Sequence, residues 1–333
     1  MTQQETPPIV SPAGPRGWTV ALRFAALALV WGSSFLLTKL ALVGLGPLQI
    51  AGGRIVLGAL ALVAIMLVTR RRWPRNPAVW GHLAVAAVLL CVVPYSLFAW
   101  AGQHIPSGIS SIINALTPVM TLLVGLVALP DERLTRTRAL GILVATLGVV
   151  LVAAPWTLTD LDGALGILGQ LACLAAATCY GLGLVYTRRF IRHRGEDATS
   201  VAAVQLTIAA AIVLVIAPFV AMQPVRLDPV VIGAIVVLGV VGTGIATVWN
   251  TTVIQVWGAT ASATVTYLIP IVGVVLGVLV LGEVLTWNEV LGAVAVLLGV
   301  MLSQGVFGQT VLRHGPPRPW RRPRPAEPGP APE

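Results

Sequence analysis

Long apolar runs, broken by short turn-forming or charged stretches, make up almost the whole chain. They fall at about 24–44, 47–69, 80–101, 107–129 and 139–155. After a short polar stretch, Trp156 to Asp162, five more come at about 163–187, 198–221, 229–253, 259–282 and 288–307. A bilayer-spanning helix needs roughly 20 apolar residues, so the pattern predicts ten transmembrane helices. Inside lipid each segment must satisfy its own backbone hydrogen bonds, which makes a helical bundle the natural architecture. The expected fold class is therefore an all-α integral membrane protein.

The second half of the chain repeats the first. At an offset of 152, Gln103 meets Gln255, Leu116 meets Leu268, Pro118 meets Pro270, Gly125 meets Gly277 and Leu129 meets Leu281. At an offset of 151, Glu132 meets Glu283, Leu134 meets Leu285, Thr135 meets Thr286, Gly141 meets Gly292 and Gly148 meets Gly299. Earlier in each half, Trp31-Gly32 meets Tyr180-Gly181, Thr38 meets Thr187 and Lys39 meets Arg188. Each copy holds five spans, and an odd number reverses the chain's direction. The ten helices are thus expected to form two inverted five-helix repeats, 21–156 and 163–307. Inverted repeats around a midplane site are how many secondary transporters make two oppositely facing states.

Composition agrees: 57% of the 333 residues are hydrophobic and 10% charged, against about 25% charged in a soluble domain. The net charge of +9 raises a nucleic-acid partner, but the placement of the arginines excludes it. Arg70, Arg71, Arg72 and Arg75 cluster after the second run, Arg133, Arg136 and Arg138 after the fourth, and Arg188, Arg189, Arg192 and Arg194 after the sixth. Five more lie in the tail. With Arg16 and Arg23 at the N-terminal end, these alternate loops collect 18 of the 21 basic residues. Short basic loops mark the cytoplasmic side, so both termini are expected there. The opposite face receives Asp160, Asp162 and Asp228. Twenty arginines against one lysine suit a GC-rich bacterial genome and hence the bacterial inner membrane. Residues 1–20 and the Pro/Arg-rich stretch 308–333 are expected to be disordered cytoplasmic tails. Cys91, Cys173 and Cys179 all fall in apolar runs and read as packing residues, with no metal or cofactor site.

Candidate chemistry is sparse. Arg54 stands several residues into the second span, where a charge costs about 2.5–3.5 kcal/mol; it should face the bundle interior or reach the outer surface. Helix-end carbonyls and a substrate are both candidate partners. Glu132 and Glu283, just beyond the fourth and ninth spans, are candidate structural or gating charges. Pro118 and Pro270 are expected to kink their helices mid-span as hinges, baring carbonyls near Asn114, Thr117, Thr266 and Tyr267. Trp31, Ser34, Asn114, Tyr180, Trp249, Asn250 and Tyr267 are the candidate cavity-lining residues. No Asp, Glu or His occupies the middle of a span, so the usual proton relay is not visible.

The WGSSF of Trp31–Phe35 followed by Lys39, the Arg54 of the second span, and the paired Pro-centred helices ending in Glu resemble an EamA-domain protein of the drug/metabolite transporter superfamily. The resemblance covers about residues 20–307. It implies ten helices, cytoplasmic termini and a central cavity carrying amino acids or related metabolites, often outward. The second copy departs from the first, with Gln205 at the position of Arg54 and Leu182 after Gly181 in place of a serine. A small-molecule substrate and the lipid bilayer are the expected partners, and the expected assembly is a monomer or homodimer. A channel and a non-transporting sensor or scaffold are the alternatives; no enzyme motif is present.

Overall fold

The fold is given by a computed structural model that describes residues 15–74, 76–130, 132–154, 161–191, 197–220 and 223–306. The expected C-terminal disorder, 308–333, and most of the polar stretch Trp156–Asp162 lie outside these residues. Every regular element among the described residues is helical. Among the described residues, nine helices are long and apolar enough to cross a membrane: α1 (Gly17–Ala41), α2 (Pro47–Val68), α3 (Pro77–Ala101), α4 (Ser107–Ala128), α5 (Arg136–Ala153), α6 (Gly163–Phe190), α7 (Ala198–Phe219), α8 (Pro229–Trp257) and α9 (Ala261–Leu281). A further apolar helix, α10 (Trp287–Ser303), is one turn-fraction shorter at 17 residues. Helix begins at Pro15, so residues 15–20 are helical where the sequence predicts the end of a disordered tail. Proline suits a helix's first turn, where no N–H is needed, and Trp18 beyond it is largely exposed, as at a membrane interface.

The helices pair reciprocally. α1 packs on α9 as α6 packs on α4, and α2 packs on α8 as α3 packs on α7; α2 also meets α7, and α5 meets α10. The motif pairs found in the sequence sit at these contacts. A Cβ on Gly32 would lie 2.5 Å from the Cβ of Val272 in α9, and one on Gly181 would lie 2.8 Å from the backbone of Met120 in α4. Glycine is needed at both because each helix meets a partner with no room for a methyl group.

Leu27, Ile55, Leu62, Ile112 and Ile113 are fully buried, whereas Val127, Leu279 and Phe219 point outward from their helices. A perimeter this apolar faces lipid. The loops sort by side. Arg71 pairs with Asp197 at 2.8 Å, and Glu132 pairs with Arg138 at 3.0 Å and Arg188 at 2.7 Å; all five belong to stretches that the charge pattern assigns to one face. On the other face the Arg226 N–H donates to the Gly44 carbonyl, and the Gln49 amide to that of Gln223.

Four departures from regular α-helix shape the interior. α4 breaks at Ala115–Leu116, so Pro118 stands in the first turn of a second helical piece and not at a mid-helix kink. The missing N–H of Pro118 frees the Asn114 carbonyl, which accepts from the Thr117 hydroxyl at 2.8 Å instead. In α9 the break comes at Thr264, and Pro270 lies buried inside the following helix. α3 and α8 each contain a π-helical segment, Val88–Val92 and Val237–Ile245. Such segments are rare and cluster at functional sites.

Candidate functional site

These irregular segments converge on one cavity of about 260 Å³ between the two halves. Its wall draws on α1, α2, α3 and α4 of the first half and α6, α8 and α9 of the second. Trp31, Ser34, Arg54, Asn114 and Tyr180 all line it. Trp31 is held across the cavity by its indole N–H, which donates at 3.2 Å to the Gly242 carbonyl in the π-helical part of α8. Ser34 donates back to Val30 within its own helix, the usual way a hydroxyl is satisfied in an apolar helix. Phe35 meets the edge of Phe98 with ring centres 5.5 Å apart, and Phe98 stacks on Tyr180 at 6.1 Å, forming an aromatic wall.

Arg54 faces the interior and does not reach a membrane surface. Its Nε donates to the Thr243 hydroxyl at 2.9 Å, and its guanidinium lies 4.1 Å from the centre of the Tyr95 ring. Thr243 in turn donates to the Leu238 carbonyl five residues back, the spacing a π-helix creates. At the position matching Arg54, Gln205 donates to Cys91 in the π-helical part of α3, at 3.4 Å. The two contacts are the same contact made once by each half, with a charge in only one.

Trp249, Asn250 and Tyr267 are not on the cavity wall. Asn250 accepts the Ser262 hydroxyl at 2.6 Å, tying α8 to the start of α9. Tyr267 packs against the core around Phe98 and Ile112, and its neighbour Thr266 takes the lining position. The break at Thr264 sets which of the two faces inward. Tyr95, Thr117, Thr243 and Thr247 also line the wall. Thr243 gave no sequence signal, because a π-helical stretch turns its residues off the 100° spacing on which a helical face is read.

The two glutamates differ in their partners. The Glu283 carboxylate accepts the backbone N–H groups of Ser107 at 2.6 Å and Gly108 at 3.0 Å, capping the start of α4 from the end of α9. A carboxylate there meets the positive end of the helix dipole. Glu132 instead holds Arg138 and Arg188. The Arg188 hydrogen bond first, then that of Arg138, keeps its carboxyl below the ordinary value of 4.5 despite partial burial. A carboxyl lowered on folding contributes stability that is complete above that value and is lost as pH falls below it. Thermal unfolding of wild type and Glu132→Gln is therefore expected to show a gap at about pH 7 that narrows as pH falls below the ordinary carboxyl value; a gap constant with pH would contradict these ion pairs.

A family model for EamA-like transporters matches the sequence twice, over residues 18–154 and 167–304. The chain belongs to the EamA-like transporter family. Both matches together cover nearly all the described helices, and they divide the EamA chain between α5 and α6, where the internal repeat divides it. A probable amino-acid metabolite efflux pump of Escherichia coli is 27% identical over 85% of this chain and 93% of its own length. The uncharacterized transporter YvbV of Bacillus subtilis is 26% identical over 85% and 90%. The uncharacterized inner membrane transporter YedA of Escherichia coli is 25% identical over 83% and 88%. One solved protein structure superposes with a TM-score of 0.63 at 19% identity, over 89% of this chain and 99% of that one, and so shares the fold. The EamA chain is a multi-pass membrane transporter.

Proposed function

We propose that the protein is a secondary transporter of small metabolites, an exporter of amino acids or related compounds, working by alternating access. Ten spans in two inverted repeats, both termini in the cytoplasm of a bacterium and the bundle in its inner membrane, give the reading its geometry. The observation that carries it is a cavity lined by both halves, together with a helix contact that is made toward one end and has no comparable counterpart toward the other among the described residues. Toward one end the first part of α4 lies against α9: a Cβ on Gly273 would fall 2.5 Å from the Ser111 side chain, and Glu283 caps the helix start. The repeat relates that contact to one between the second part of α4 and the start of α9. Among the described residues, Thr117–Ala128 makes no comparable packing with that start.

With the N-terminus inside, the sealed end faces outward and the other faces the cytoplasm. The opposite state then follows from the repeat. α4 parts from Glu283 at one end, while at the other Glu132 leaves its arginines for the start of α9. Pro118 and Pro270 lie between the two ends, where a hinge is needed. The names of the relatives support a metabolite as cargo, and so does the volume, just under the roughly 300–1,000 Å³ of sites for drug-sized ligands.

Purified protein in liposomes, offered labelled neutral, aromatic and branched amino acids, their keto and N-acyl derivatives, a polyamine, a purine and a sugar phosphate, tests the proposal. Saturable uptake of one class, reduced by Asn114→Ala or Trp31→Ala, is expected. No uptake of any class by folded protein, under gradients of either direction, would overturn it.

A further inference from the structure

Arg54 is the one charged residue on the described cavity wall. Among the described residues no carboxylate lies within ion-pair distance of it. Its Nε is committed to Thr243 and its face to Tyr95. These two contacts fix the plane of the guanidinium and leave its two terminal amino groups without a hydrogen bond to any described residue. A guanidinium held in this way presents paired N–H donors in the spacing that matches a carboxylate. A charge taken out of water and left without a counter-ion is costly, so the cavity is built to receive one.

Resting on the transporter reading above, we propose that Arg54 is the anchor for the carboxylate of the cargo, and that the cargo is a small monoanion with an apolar body. The neighbouring aromatic rings of Phe35, Phe98 and Tyr180 supply the surface for that body. The charge count sets the class. One fixed positive charge in an apolar wall is matched by one negative charge; a phosphate ester would bring a second with nothing to meet it. A free α-amino acid brings its own ammonium, and the wall offers that group no Asp or Glu. The site therefore favours carboxylic acids whose amine is absent or acylated over the parent zwitterions. Gln205, the counterpart of Arg54 in the other half, is uncharged, so a single anchor serves both states.

The test is equilibrium binding to the full-length protein in detergent, followed by the fluorescence of the cavity tryptophan or by ligand-induced thermal shift. Four probes share one phenyl body: 3-phenylpropionate, phenylalanine, 3-phenylpropanamide and 2-phenylethylamine. Phenylpropionate is expected to bind most tightly, about 10- to 100-fold better than its amide, with phenylalanine between and the amine weakest. Arg54→Gln should remove the preference of acid over amide and leave amide binding in place; Arg54→Lys should restore part of it. Thr243→Val, which keeps the charge but releases its orientation, should weaken the acid and spare the amide. Equal binding of acid and amide by wild type, or no binding of the acid, overturns the proposal whether or not the Arg54 variants fold. Selective binding without uptake into liposomes would leave the anchor standing and count against transport. Uptake that ignores the charge of the cargo would do the reverse.

Discussion

Changing Glu283 to Ala is expected to open the sealed end of the cavity and to shift the two-state equilibrium by about 10- to 100-fold. The carboxylate accepts two backbone N–H groups at the start of α4. A hydrogen bond to a charged group is worth about 1.5–3 kcal/mol, and every 1.4 kcal/mol is about tenfold. In the opposite state Glu283 is proposed to lose these donors, so the loss falls on one state and is not spread over both. Ser111, fully buried behind the cap, reports the change. In a background free of native cysteines, Ser111→Cys should react with a membrane-impermeant thiol reagent about ten times faster or more once Glu283 is removed. Glu132→Ala removes ion pairs from this state and the proposed cap from the other, so it should change the same reaction less than Glu283→Ala does. Unaltered reactivity in both would show that neither glutamate works as a gate.

The second large effect is expected at the α5–α10 pair. Both helices are short, 18 and 17 residues, and they approach through glycines that recur at matching places in the two halves. A Cβ on Gly148 would lie 2.6 Å from the backbone nitrogen of Val296, and one on Gly299 would fall on the backbone of Ala145. Backbone cannot swing aside as a side chain can. Overpacking of a tight contact costs about 1–3 kcal/mol and more where nothing yields. Gly148→Leu and Gly299→Leu should therefore abolish the monodisperse folded species in size-exclusion chromatography, with Gly148→Ala already lowering the unfolding temperature. Gly81→Ala, where the added carbon meets nothing within 4 Å, should leave it unchanged. Equal tolerance at Gly148 and Gly81 would contradict the close approach.

What could be read from the sequence, and what could not, follows from where helical regularity holds. The spans were legible because a membrane demands a minimum apolar length, and the grouping of the basic loops because their charges pair with one another, Arg71 with Asp197 and Arg188 with Glu132. Trp31, Ser34, Asn114 and Tyr180 stand out in the sequence as polar or aromatic side chains within spans, and all four line the cavity. Trp249, Asn250 and Tyr267 have the same polarity and lie elsewhere. Their placement depends on the π-helical segment of α8 and the break at Thr264, which rotate one helix face relative to the next. The same irregularity hid Thr243, the residue that orients Arg54. Pro118 was visible, but not that it would open a second helix; that depends on the turn at Ala115–Leu116, which carries no proline or glycine of its own.

Distances measured by spin labels at the two ends of the α4–α9 contact test alternating access most directly. One pair, at Gln103 and Val284, spans the sealed end; the other, at Val127 and Ala263, spans the open end. Both belong in cysteine-free protein in liposomes, with and without a saturating carboxylate cargo. Reciprocal change is expected: a population in which the first distance lengthens must be the one in which the second shortens. Two distances that stay fixed, or that lengthen together, would contradict a carrier built from two exchanging halves.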